Sequence, residues 1–360
     1  MRTPLYNEHI KLGAKMVDFA GWELPVLYTS ILEEHIATRE HAGIFDISHM
    51  GEISISGPDA AGLLRKLIPT RLDKLVPGKC MYSCLCNEKA GVIDDLFIYM
   101  VSGDEFFVVV NAANLEKDLR WIRDHSSGDT VIKDLSEAIA KIDLQGPDSG
   151  SILERVLPDG SINGLERFFF RDVEYRGEKI MVSCSGYTGE KGYELYLSPE
   201  AAPEMWTSLL EAGRGTGLIP VGLGARDSLR IEACYSLYGH ELTDEITPVE
   251  AGIGWIVSSK EEYIGHDIVR MQKKDGAPRE IITLECTGRG IPREGYRVQK
   301  DGEDVGFVTS GVFSPLFKKG IALALVKSGS VSTGDNISVI IRDKEVAARA
   351  VERPFYSFNA

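Results

Sequence analysis

Two stretches of this chain, 89 residues apart, follow one pattern, and that repeat limits the fold more than any other feature. Residues 53–69 read ISISGPDAAGLLRKLIP, and residues 142–158 read IDLQGPDSGSILERVLP. Each gives an alternating strand, a Gly-Pro-Asp turn, a helix with helical apolar spacing and a closing proline. Alternation of period two places one face of a strand on a core, and spacing of three and four does the same for a helix. Proline just inside a helix start, an acidic first turn and a proline at the end punctuate the helix by ordinary backbone chemistry. Two such units predict a duplicated strand-helix element that builds one α+β body.

Between the copies lie strand candidates at 80–87, 92–101 and 106–112, the last two joined by the turn Ser102-Gly103-Asp104-Glu105. A helix is expected from about Asn114, with Leu115, Leu119 and Ile122 on one face. Residues 167–197 are strand-like again with a turn at Arg176-Gly177, helices follow at 200–213 and 224–236, and 258–280 reads as a charged linker with one short helix. From 280 onward, short alternating runs recur between Gly-containing turns, as in a small all-β barrel. The expected division is 1–277, with two intertwined subdomains split near 50 and 140–160, and 278–360.

The 360 residues carry a net charge of −14, which repels phosphate backbones and anionic lipid, so nucleic acid and membrane are disfavoured as partners. No apolar run reaches the roughly 18 residues a membrane-spanning helix needs. The first residues carry no apolar signal core, so a cytoplasmic chain, or a mature form already trimmed, is expected. Cys80, Cys84 and Cys86 are read as buried strand thiols rather than metal ligands, because no His or Cys pair follows at ligand spacing; no metal is expected.

Gly186-Tyr187-Thr188-Gly189-Glu190 and the following Gly192 form a Gly-rich loop that matches no nucleotide motif. Gly222-Leu223-Gly224-Ala225-Arg226-Asp227 has Asp227 where a dinucleotide turn needs glycine. Arg226 and Arg230 share a helix face and suit either an anion or a surface ion-pair row. The dispersed histidines are given structural or surface roles. Asp94 and Asp95 open a run that otherwise reads as a buried strand, and they point to opposite faces. A bare buried carboxylate costs several kcal/mol, so at least one is paired or functional unless both cap the strand end in solvent.

Taken in order, Thr3-Pro4-Leu5, Met16-Val17-Asp18-Phe19, Phe45-Asp46-Ile47-Ser48-His49-Met50, Val92-Ile93-Asp94-Asp95-Leu96, Gly186 to Glu190, Gly222 to Asp227, Leu237-Tyr238-Gly239 and Ile321-Ala322-Leu323-Ala324 resemble the T-protein family of the glycine cleavage system. The resemblance runs nearly end to end. It implies a three-domain clover-leaf around a folate channel, with a C-terminal β-barrel. It also implies transfer of the methylene carbon from an aminomethyl-dihydrolipoyl H-protein to tetrahydrofolate, with release of ammonia. By the same resemblance Asp95 is the essential carboxylate near folate N10, and Tyr187 and Glu194 hold the pterin. Arg226 is a folate-site arginine, while Met50, Tyr82, Tyr99, Asn111 and Tyr235 line the channel. Chemistry agrees with these roles: Glu194 can accept a ring N–H and an exocyclic amine together, Tyr187 offers a flat face, and Arg226 or Arg230 can meet an anionic tail.

The chain departs from the family pattern at Ala90, where glycine is usual, at His240, and at Leu316-Phe317-Lys318. Two competing readings share the folate pocket. One is a tetrahydrofolate-dependent demethylase, disfavoured by the full motif set; the other is an iron–sulfur assembly factor, whose Lys-Gly-Cys-Tyr-x-Gly-Gln signature is absent.

Overall fold

The computed structural model describes residues 1–258 and 262–358. The two copies of the repeat fall at equivalent places in two different sheets. In the first, Gly51–Ser56 pairs antiparallel with Glu105–Val110, which continues through Val92–Ser102 to Lys79–Cys86; Val131–Asp134 closes the other edge. In the second, Ala140–Gln145 pairs with Gly192–Leu197, which continues through Glu178–Ser183 to Phe170–Tyr175. Ala42–Asp46 and then Leu218–Pro220 extend this sheet on the far side, the last pair parallel. A three-strand meander added to the strand before Gly-Pro-Asp is thus built twice.

Each copy turns at its glycine. Gly57 and Gly146 have φ of +113° and +123°, a region closed to L side chains. A Cβ on Gly57 would also lie 2.1 Å from the Asp129 carbonyl oxygen. The prolines fall two positions earlier than expected: Ala60–Leu67 starts after an Asp59 cap and Ser149–Leu153 after Asp148, so each proline precedes the cap. The side chain of Asp59 accepts the Asp129 N–H at 2.8 Å instead of capping its own helix.

The apolar face of the first sheet packs under Ala60–Leu67 and Leu115–His125, and that of the second under Ala202–Ala212. The opposite faces meet through Cys80, Tyr99, Val109, Phe170 and Tyr196. Helices expected at 200–213 and 224–236 run Ala202–Ala212 and Leu223–Glu232, and the charged linker contains His266–Asp275. The Arg176-Gly177 turn holds, with both residues at positive φ. Cys80, Cys84 and Cys86 are buried thiols in Lys79–Cys86, as read. Ala90 occupies φ +64°, a left-handed position that costs an L residue about 1 kcal/mol and where glycine sits free of strain.

From Arg279–Cys286 to Lys344–Val351, six strands close a barrel around Leu284, Val298, Val308, Ala324 and Val339. It is joined to the body by Ile231 against Val312 and Ile321. No helix among the described residues is long and apolar enough to cross a membrane.

Because Gly57 meets both a forbidden φ and a backbone oxygen, Gly57→Ala should lower unfolding free energy in urea by ~2–4 kcal/mol. Gly103→Ala, in open space on the hairpin turn, should stay within ~0.5 kcal/mol of wild type. Equal effects of the two would refute the turn assignment.

Candidate active site

A cavity of about 400 Å³ opens between the two sheets and is bounded by the segment from Leu223 to His240. Of the residues singled out from sequence, Met50, Tyr82, Asp95, Asn111, Tyr187, Glu194 and Arg226 line it. Tyr99 and Tyr235 stand behind its wall. Tyr99 is fully buried under Phe107 and Phe170, and its hydroxyl bonds Tyr196 at 2.8 Å and donates to Glu194 at 3.3 Å. Tyr235 stacks on Tyr187 with centroids 5.8 Å apart, and its hydroxyl accepts from Arg167 at 3.1 Å. Both reach the cavity through a neighbour only.

The strand Val92–Ser102 sets one end of the site. Its alternation sends Asp95 toward the cavity and Asp94 into the opposite face, where it is fully buried. Asp94 accepts the Asn111 N–H and side-chain amide, each at 2.9 Å, and the Asn114 amide at 2.6 Å. Asn111 also donates to Asp95 Oδ1 at 2.8 Å, and the Tyr82 hydroxyl donates to Asp95 Oδ2 at 3.0 Å. Neither aspartate is a solvent cap. Burial first, and then the charge of Asp94, push the Asp95 carboxyl up to about 7 against those two hydrogen bonds.

The other end is built on Ala140–Gln145 and Gly192–Leu197. Glu194 pairs with Lys141 at 3.0 Å, and the Ser185 hydroxyl donates to its other oxygen. Burial alone would raise the Glu194 carboxyl, but Lys141, Ser185 and Arg226 outweigh it and hold it below the usual range. Arg226 donates to Asp143 at 3.2 Å and lies 4.8 Å from the Tyr187 ring centroid. Tyr187 has Arg226 and Tyr235 as ring partners and its hydroxyl donates to the Ser236 carbonyl, while the residue still lines the cavity. Arg230 also lines the cavity and is bonded to Asp227, Glu241, Ser310 and the Tyr235 carbonyl. His240 lines the cavity and donates from Nδ1 to the barrel's Thr309 carbonyl at 2.9 Å.

Sequence reasoning missed His49, Lys141 and Asp143. Lys141, Asp143 and Gln145 alternate with Ala140, Ile142 and Leu144, a pattern that reads as a half-solvated strand; here every residue of it is buried, because the polar face looks onto the site. His49, given a surface or structural role with the other histidines, lines the cavity with Nδ1 sealed and unpartnered. Burial, then Arg226, lower its pKa to about 4, so it is a neutral imidazole at pH 7.

Beneath this end Glu52 is buried with no donor on either carboxylate oxygen, and burial pushes it up to about 8. The folded chain thus holds a proton there that the unfolded chain releases near pH 4.5, so stability falls as pH rises toward 8. Glu52→Gln supplies a permanently neutral side chain. Its melting temperature should exceed wild type by a few degrees at pH 8, a gap that narrows toward pH 5. A gap that widens toward acid would contradict the assignment.

Family comparison agrees across the chain. Residues 5–261 match the GCVT N-terminal domain, and residues 279–357 match the glycine cleavage T-protein C-terminal barrel domain. An aminomethyltransferase of Geobacillus kaustophilus is 47% identical over 358 residues, covering 99% of this chain and 98% of the relative. One from Halothermothrix orenii is 42% identical over 355 residues, covering 98% and 99%. The crystal structure of glycine cleavage system aminomethyltransferase T from Bartonella henselae superposes with a TM-score of 0.92 at 33% identity, covering 99% of this chain and 98% of that one.

Proposed function

Because the chain belongs to the glycine cleavage T-protein family and is an aminomethyltransferase of that system, we propose that tetrahydrofolate occupies the cavity described above, with Asp95 at the reacting end and Glu194 at the pterin end. The observation that carries this reading is the pair of carboxyls themselves. One cavity wall holds Glu194 ionised against Lys141, and another holds Asp95 poised near neutrality. Two carboxyls driven apart in this way take different roles.

The donor in this reading is the aminomethyl-dihydrolipoyl arm of an H-protein, which meets this chain transiently. Tetrahydrofolate supplies two neighbouring amines, N5 and N10, that take up the methylene carbon. Glu194 accepts the pterin's ring N–H and exocyclic amine, and Lys141 keeps it charged while it does so. Asp95, steered by Tyr82 and Asn111, accepts the proton that N10 loses. Met50 and Tyr82 give the site an apolar lining that keeps water from the reactive carbon. Residues 1–277 would supply the pocket, and the barrel from 278 would hold its far rim through His240 and Arg230. A cytoplasmic setting fits the buried free thiols, which persist in a reducing compartment.

Replacing Asp95 tests this. Asp95→Asn should lower kcat by about 10²–10⁴-fold at saturating folate, and a loss below about threefold would remove Asp95 from the chemistry. The wild-type rate should rise with pH through about 7, because only the ionised carboxyl accepts a proton, and the variant should lose that limb.

A further inference from the structure

Behind Asp95 lies a second aspartate that the mechanism above does not use. Asp118 sits on Leu115–His125, four residues after the capping Asn114, so both point from the same helix face toward Asp94. Asp118 is fully buried, lies outside the cavity lining, and receives no N–H or neutral O–H donor on either oxygen. Its helix face, shared with the Asn114 that donates to Asp94, sets it beside that carboxyl, whose charge acts on it after burial.

Two neighbouring carboxyls buried away from water cannot both be charged, so one of them keeps a proton. The donors decide which. Asp94 collects three amide N–H bonds, from Asn111 twice and Asn114 once, and Asp118 collects none. The anion belongs where the donors are. We infer that Asp118 is a positioning residue for the proton step: as the neutral acid it donates to Asp94, which stays an anion beside Asp95 and shares the Asn111 amide with it.

This inference rests on the reading of Asp95 as proton acceptor and adds what sets that acceptor's affinity. Burial, then the charge of Asp94, drive Asp118 up to about 10, consistent with its holding the proton across the working range. The other charged or titratable groups facing the trio are few. Lys117, on the same helix, donates to Tyr238 at 2.6 Å and lies 3.8 Å from Asp244. Tyr82 and Cys84 approach from the neighbouring strand, Tyr238 and Tyr187 from the other walls, and burial raises all four, so they stay neutral.

The test compares Asp118→Asn with Asp118→Leu over about pH 5.5 to 9. The amide donates to Asp94 as the acid does, so Asp118→Asn should keep kcat within about threefold and leave the inflection near 7 in place. Leucine removes the donor; Asp94 then competes for a proton, its charge no longer stands beside Asp95, and the inflection should fall by about one pH unit. An unmoved inflection in a folded Asp118→Leu protein, or the same shift in both variants, overturns the inference. Infrared spectroscopy gives a second arm that needs no leucine variant. At about pH 9 and in a Glu52→Gln background, which removes the other carboxyl held protonated so high, the protein should show a protonated-carboxyl C=O band that adding Asp118→Asn removes, and its persistence would also overturn the inference. If Asp95→Asn remained active, the role of Asp95 would fall while the infrared result would still stand or fail by itself.

Discussion

The arrangement of the cavity hangs on one buried ionic cluster, that of Arg39 and Glu232. Glu232 ends the helix Leu223–Glu232 and receives Arg39 at 3.1 Å, His35 at 3.0 Å and the Ser314 hydroxyl of the barrel. Arg39 also donates to the Thr188 carbonyl at 2.7 Å and to Glu190 at 2.8 Å, both in the Gly-rich loop. The backbone carbonyl of Glu232 accepts from Tyr356 near the end of the chain. Four parts therefore meet at one place: the helix Ile31–Glu40, the loop that carries Tyr187, the helix that carries Arg226, and the barrel. Removing one partner of such a pair leaves an uncompensated buried charge, which costs about 3–5 kcal/mol. That rigidity is what allows a site of this size to keep its polar groups aimed.

Within the frame, the site is polarised along its length by burial acting on carboxyls with different company. Glu194 has a lysine against it and stays ionised. Asp95 has another aspartate behind it and sits near the midpoint of its titration at neutral pH. Asp143 is pushed up to about 7 by burial and by Glu194, with Arg226 pulling the other way. One desolvated cavity thus yields an anchor at one end and a proton acceptor at the other.

Much of the fold was legible because period and turn chemistry are local. The Gly-Pro-Asp repeat, the hairpin at Ser102–Glu105 and the change of texture past 280 each correspond to an element in the structure. The prolines stand two positions before the expected first helical residue, since the cap falls to the aspartate after them. The site was legible in part. Asp94 and Asp95 stood out because charge interrupts an apolar strand. Lys141 and Asp143 did not, because alternation says that a face is polar without saying whether water or a cavity lies beyond it. The helix-face pattern left Arg230 open to an anion or an ion-pair row; its bonds to Asp227, Tyr235 and Glu241 are near in sequence, but only the fold brings Ser310 of the barrel to it. The ring partners of Tyr187 were hidden for the same reason.

The most direct measurement is ammonia release from aminomethyl-loaded H-protein, made with and without tetrahydrofolate. The account predicts release that depends strongly on folate and is matched by methylene-tetrahydrofolate formed. Tight folate binding without ammonia release would contradict it and would leave the pocket to a different one-carbon donor.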